Sequence, residues 1–92
     1  MIFKAKDIRS SLEKKGFHRK YTDHEYFIFY FQGKKTSIRT KLSLGIKEVG
    51  DAILNRMAQQ LHLSRKDFNN LIQCPLTYDH YIAILKEKGI LD

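Results

Sequence analysis

The side chain best suited to chemistry in this sequence is His24. An imidazole with an ordinary pKa of about 6.5 can take up or release a proton close to neutral pH. Tyr26 and Tyr30 follow it by two and six residues, and Arg39 and Lys41 lie across a short polar break. That set points to phosphodiester chemistry. The imidazole would act as general base or acid on an RNA 2′-hydroxyl, which attacks the neighbouring phosphate. Arg39 and Lys41 would stabilise the charge that builds there without a metal. Arginine can hold a phosphate through two parallel hydrogen bonds, and tyrosine rings can stack on unpaired bases. A 2′-hydroxyl nucleophile would make such a site selective for RNA. Each residue also has a plainer reading. His24 would then be a solvent-facing strand histidine without a role, and the tyrosines would lie under a dimer partner or under later parts of the chain.

These residues need a ribbon to hold them. Tyr21 to Phe31 and Thr36 to Ser43 are rich in aromatic and β-branched residues, and Gln32-Gly33-Lys34-Lys35 separates them. This reads as a β-hairpin with its turn at Gly33-Lys34. Phe31 then faces Thr36, Phe29 faces Ile38, Phe27 faces Thr40 and Glu25 faces Leu42. On the opposite surface Tyr30 meets Ser37, Ile28 meets Arg39, Tyr26 meets Lys41 and His24 meets Ser43. Strand side chains alternate, so one surface is apolar and becomes core, while the other is cationic and can meet a phosphate backbone. A slip of one residue would expose Phe27 and Phe29, so burial fixes the register. Thr22-Asp23 reads as a turn into the hairpin; Asp23 would lie on the face away from His24 if strand alternation already held there.

Before the hairpin, Ala5, Ile8 and Leu12 form the apolar stripe of a helix over residues 3–15, closed by Gly16. His18 to Tyr21 reads as a short charged edge strand. After the hairpin, a helix is expected from about Lys47 to Leu61. Gly50 would lie inside it or at its first turn, at a cost of about 1 kcal/mol against alanine in the interior. Ser64 and Thr77 are N-cap residues for two shorter helices. The apolar residues Phe68, Leu71, Ile72, Tyr78, Tyr81, Ile82 and Leu85 must be buried, either on the open face of the sheet or against a second chain.

The chain has 92 residues, 42% of them hydrophobic, which suits one small domain with a real core. Its formal net charge of +7 favours a polyanion partner. Two basic clusters stand out, Lys14, Lys15, His18, Arg19, Lys20 and Lys34, Lys35, Arg39, Lys41. Lys20, Tyr26, Tyr30, Lys34, Lys35, Arg39 and Lys41 form the expected RNA-binding set. A single cysteine, Cys74, excludes a disulfide within the chain, fits a reducing cytoplasm and reads as a small buried hydrophobe. No apolar run has the length of a signal peptide or membrane span. The four histidines and Cys74 lack metal-ligand spacing, and Gly45 to Gly50 lacks the lysine-serine ending of a phosphate loop, so neither metal nor cofactor is expected.

The order helix, three strands, helix resembles the double-stranded-RNA-binding-domain fold. Closer still is a resemblance to HicA-type toxins, small RNA-cleaving proteins of toxin–antitoxin systems. It is carried by Leu12-Glu13-Lys14-Lys15-Gly16-Phe17, by His24 at the opening of the second strand, by the glycine turn Gln32-Gly33-Lys34 and by Leu44-Gly45-Ile46-Lys47-Glu48 before the next helix. It covers about residues 4–63. Thr22-Asp23 replaces the family's Gly-Ser pair, and Leu44 stands where a histidine is common. The resemblance implies an α+β fold with an α-β-β-β-α core over residues 1–63; residues 64–92 read as a helical extension that compact family members lack, packed on the same domain. It also implies endoribonuclease (mRNA interferase) activity through His24 and a small protein antitoxin as partner. The alternative is a non-catalytic interaction or assembly module, for instance a homodimer, on the same fold.

Overall fold

The structure, a computed structural model, describes residues 2–73 and 75–91. The chain begins with a two-residue strand, β1 (Phe3–Lys4), that runs directly into helix α1 (Ala5–Lys14). Ala5, Ile8 and Leu12 are buried on one side of α1, as their spacing requires. Gly16 follows with φ +92°, a left-handed conformation that glycine accepts at little cost. A Cβ at Gly16 would stand 2.7 Å from the Tyr78 ring, so close packing adds a second reason for glycine.

Strands β2 (Phe17–Tyr21), β3 (Glu25–Phe31) and β4 (Lys34–Leu42) then form an antiparallel sheet in the order β2-β3-β4. Helices α2 (Asp51–Gln60), α3 (Arg65–Gln73) and α4 (Tyr78–Glu87) complete an α+β architecture, after a second two-residue strand, β5 (Glu48–Val49).

Far from the turn the hairpin register is as expected: Glu25 pairs with Leu42, Tyr26 with Lys41, Phe27 with Thr40 and Ile28 with Arg39. Near the turn it differs. Tyr30 pairs with Lys35 and Phe31 with Lys34, and the ladder is irregular between Ile28 and Tyr30. The turn is Gln32-Gly33, with φ of 53° and 76°. Two positive φ angles in a two-residue loop match the right-handed twist of the flanking strands, which a turn at Gly33-Lys34 would not. The tighter turn leaves β4 two residues too long, and a bulge absorbs them. Thr36 replaces the lost ladder contacts there. Its hydroxyl donates to Phe29 O at 2.6 Å and accepts from Ile38 N–H at 3.2 Å.

The segment after the hairpin also departs from expectation. Residues 47–49 are not helical; Val49 pairs with Phe3 and Glu48 with Lys4. Ala5 N–H donates to Lys47 O at 2.8 Å, which satisfies one of the amides that begin α1. Helix α2 therefore starts at Asp51 with Gly50 at its N-cap, where glycine carries no helix-interior cost.

The terminal helices do not cover the open face of the sheet, and their apolar residues are buried within this chain. They join α1 and α2 on the apolar side of the sheet, in one core that contains Phe17, Phe27, Phe29, Leu54, Phe68, Leu71, Tyr81 and Leu85. Tyr81 reaches the rings of Phe17 and Phe29 at 5.9 and 5.1 Å, and its hydroxyl donates to Leu61 O at 2.9 Å. Lys15 explains part of this docking. Read from sequence as part of a phosphate-binding cluster, it is buried, and its ammonium donates to Leu71 O at 3.1 Å and Leu76 O at 2.5 Å. Ser11 donates to Ile72 O at 2.6 Å. Together they satisfy carbonyls at the C-terminal end of α3 that its own backbone leaves open. Ser64 and Thr77 cap as expected, accepting from Asp67 N–H and His80 N–H, each at 3.1 Å. Cys74 lies outside the described residues. No helix among the described residues is long and apolar enough to cross a membrane.

Candidate nucleic-acid interface

Because all four helices contribute to the core on one side, the other side of the sheet is uncovered. Cross-strand pairing sets its rows. Tyr26 lies between Lys20 and Lys41; Ile28 lies between His18 and Arg39; Tyr30 lies beside Lys35. Lys20, Lys35, Arg39 and Lys41 are exposed, and among the described residues none of them is in an ion pair. Tyr26 and Tyr30 are half-buried, and Tyr30 is stacked on His18 with ring centres 3.9 Å apart and planes 17° from parallel. Lys34 departs from this group. It pairs with Phe31, so strand alternation turns it to the helix side.

Cations on the helix side are treated differently. Glu25 shares the buried face with Phe27 and Phe29 and is only 1% exposed. Arg9 Nε donates to its carboxylate at 2.7 Å, and Arg19 approaches the same oxygen at 3.5 Å and Glu13 at 3.3 Å. The hydrogen bond to Glu25 raises the Arg9 pKa above its ordinary value, against the opposing effect of burial. Arg19 thus serves the fold, although its neighbour Lys20 is free.

His24 sits at the corner where β3 begins. Its side chain is 35% exposed, and Nδ1 lies 3.3 Å from Asp23 Oδ2. Nδ1 itself is shielded from solvent and has no hydrogen-bond partner among the described residues, so the contact with Asp23 is one of charge rather than a formed hydrogen bond. The exposure of the side chain is therefore carried by atoms other than Nδ1. Residues 22–24 form a bend, in keeping with the turn read at Thr22-Asp23, so strand alternation does not reach Asp23 and its carboxylate lies beside His24. The Thr22 hydroxyl, at 2.9 Å, and His24 both hold the Asp23 carboxyl below its ordinary pKa. Asp23 Oδ1 also accepts from the Tyr26 hydroxyl at 3.4 Å.

Two adjoining hollows link this corner to the sheet face. One, about 170 Å³, is lined by His24, Lys41, Ser43, Arg56 and Gln60 among others. The next, about 200 Å³, is lined by Tyr26, Arg39, Thr40, Lys41 and Gln60. Lys41 and Gln60 border both, and the Gln60 carbonyl is fixed by the Thr40 hydroxyl at 2.7 Å. An imidazole, a carboxylate against one of its nitrogens and the cations Lys41 and Arg56 in the same recess form an arrangement that can move a proton beside a bound anion. Arg56 had no signal in the sequence as a site residue. It reaches the recess from α2, and only the docking of α2 along β4 brings it there. The described residues contain no group of three or more His, Cys, Asp or Glu placed to hold a metal. Compared with known proteins, the chain matches no family model, no curated protein and no solved structure.

Proposed function

We propose that this protein binds RNA across the open face of its sheet, with Tyr26 and Tyr30 as stacking platforms and Lys20, Lys35, Arg39 and Lys41 as phosphate contacts. One observation carries the reading: these cations are unpaired and alternate with tyrosines on a sheet face that no helix covers. Clustered unpaired cations repel one another, and an anionic partner removes that repulsion. A single strand suits the flat aromatic surface better than a duplex, because only unpaired bases can lie on the rings.

His24 stands at the end of this face as the acid–base group of an endoribonuclease. Its exposed ring edge takes the 2′-hydroxyl proton as that oxygen attacks phosphorus. The P–O5′ bond breaks to leave a 2′,3′-cyclic phosphate, the departing 5′-oxygen takes up a proton from water, and the imidazolium returns its proton to the solvent. Lys41 and Arg56 meet the charge on the phosphoryl oxygens. The HicA-type resemblance agrees with this assignment and implies a small antitoxin that masks the face. The test is incubation of wild-type protein and His24→Ala with RNA in the presence of a chelator. We expect cleavage by the wild type and none by the variant, with binding by both. Binding without cleavage by either protein would leave the non-catalytic interaction module as the function of the fold.

A further inference from the structure

The recess with the most cationic side chains among the described residues is not the one beside His24. A hollow of about 410 Å³ lies between the start of α1 and the segment before α2, lined by Lys4, Lys6, Arg9, Ile46, Lys47 and Glu48. Lys4, Lys6 and Lys47 are exposed and make no ion pair among the described residues. Arg9 is committed to Glu25 at 2.7 Å, so its guanidinium is held in place at the wall. One carboxylate, Glu48, opposes three uncommitted lysines; Asp7 faces a different depression, beside Ser10 and Ile72.

The position of this hollow matters as much as its charge. Glu25, which anchors Arg9, is the chain neighbour of His24. Ser43 lines the His24 recess and Ile46 lines the cationic hollow, and the two are joined by a tight turn in which Ile46 N–H reaches Ser43 O at 3.4 Å. Residues spanning such a turn have Cα atoms less than about 7 Å apart. The two recesses therefore lie on either side of one turn at the same end of the sheet. We infer that the hollow of Lys4, Lys6 and Lys47 is a second phosphate site, holding the part of an RNA strand that continues past His24 after leaving the open face. This inference rests on the RNA-binding reading. It places the reactive linkage in the middle of the bound strand rather than at its end.

The test uses oligouridylates of about four and about twelve nucleotides, the range that single-strand-binding surfaces of this size accommodate. Affinity is read by fluorescence anisotropy over a series of salt concentrations. The double variant Lys6→Glu, Lys47→Glu changes exposed side chains outside the His24 recess. It should bind the longer RNA at least about tenfold more weakly than wild type, with the log–log salt slope reduced by about 0.7 for each phosphate lost. The four-nucleotide RNA should bind both proteins equally. Amide resonances of residues 46–48 should shift with the long RNA and not with the short one. If the double variant binds both lengths as wild type does while Lys41→Ala weakens both, the second site is overturned and the open-face reading stands. If the wild type binds neither length, both readings fall. If inorganic pyrophosphate shifts residues 46–48 and RNA length has no effect, the hollow holds small anions and the continuous strand path is wrong.

Discussion

The two faces of the β2-β3-β4 sheet are built from alternate residues of the same three strands, yet they treat charge in opposite ways. On the helix side, Glu25 gathers Arg9 and Arg19 and holds them. On the other side, Lys20, Lys35, Arg39 and Lys41 stand exposed among tyrosines with no carboxylate in ion-pair range among the described residues. Composition is basic throughout, so the contrast comes from placement. A surface that needed charge only for solubility would intersperse both signs. The two faces therefore teach that the fold places its one buried carboxylate, Glu25, on the helix side and leaves the cations of the other side without one among the described residues.

The largest expected difference between the faces is separable by two aromatic truncations one turn of the ladder apart. Phe29 is fully buried and its ring lies 5.1 Å from those of Phe17 and Tyr81. Phe29→Ala should cost about 3–5 kcal/mol of stability, as for a cavity in a well-packed core. Tyr26→Ala should change the urea midpoint little and instead weaken single-stranded RNA binding by about 1–3 kcal/mol, the worth of one stacked base. Equal destabilisation by both changes would mean that the open face is structural after all.

Charge removal should divide in the same way. Glu25→Gln strips Arg9 and Arg19 of their shared carboxylate. Arg9 keeps about a quarter of its side chain in solvent, so the loss should fall below the 3–5 kcal/mol typical of breaking a fully buried pair, at about 2 kcal/mol. Lys41→Gln should leave stability within about 0.5 kcal/mol, as surface changes do, while lowering RNA affinity and its salt dependence. Chemical denaturation and anisotropy on the same samples measure both.

Much of this division was legible in the sequence, because side-chain alternation in a strand needs no tertiary information. The helix stripe of Ile8 and Leu12, the caps at Ser64 and Thr77, and four cross-strand pairs followed from local pattern. What was not legible depended on distant parts of the chain. Lys15 looks like any surface lysine until α3 offers its carbonyls. Val49 has helical spacing with Ile53 and Met57, but Phe3, forty-six positions earlier in the chain, claims it for a strand. Thr22-Asp23 reads as a turn and is a bend, so the condition that would have sent Asp23 to the far face is not met. At the candidate site, His24, Arg39 and Lys41 could be grouped from the hairpin alone, whereas Arg56 required knowledge of where α2 docks.

Raising the pH tests the helix side from a different direction. Burial pushes the Tyr81 phenol above its ordinary value of 10.0. A group whose pKa is higher in the folded state contributes stability that is intact below the unfolded value and is lost as pH climbs beyond it. Stability should therefore decline above pH 10, where the unfolded chain releases a proton that the folded chain retains. Tyr81→Phe forfeits the hydrogen bond to Leu61 O and is weaker at neutral pH, but its stability should fall less steeply on the alkaline side. Urea midpoints at pH 8 and pH 10.5 for the two proteins check this. Parallel declines would show that the alkaline loss arises from another group.

The smallest effect concerns the device that sets which residues face each other across the hairpin. The Thr36 hydroxyl bridges Phe29 O and Ile38 N–H at the bulge. Thr36→Val keeps the shape and removes both contacts, at a position half open to water, so the cost should be about 1 kcal/mol. Deleting Thr36 and Ser37 together should be tolerated better than deleting Ser37 alone. The double deletion lets Phe29 meet Ile38 in a continuous ladder and keeps Tyr26 opposite Lys41. The single deletion turns either the residues before it or those after it to the wrong face. Nuclear Overhauser contacts between Tyr26 and Lys41 provide the readout. Their survival in the double deletion would show that the bulge corrects strand length without choosing the face. Their loss would mean that the bulge itself fixes which cation stands beside the tyrosine.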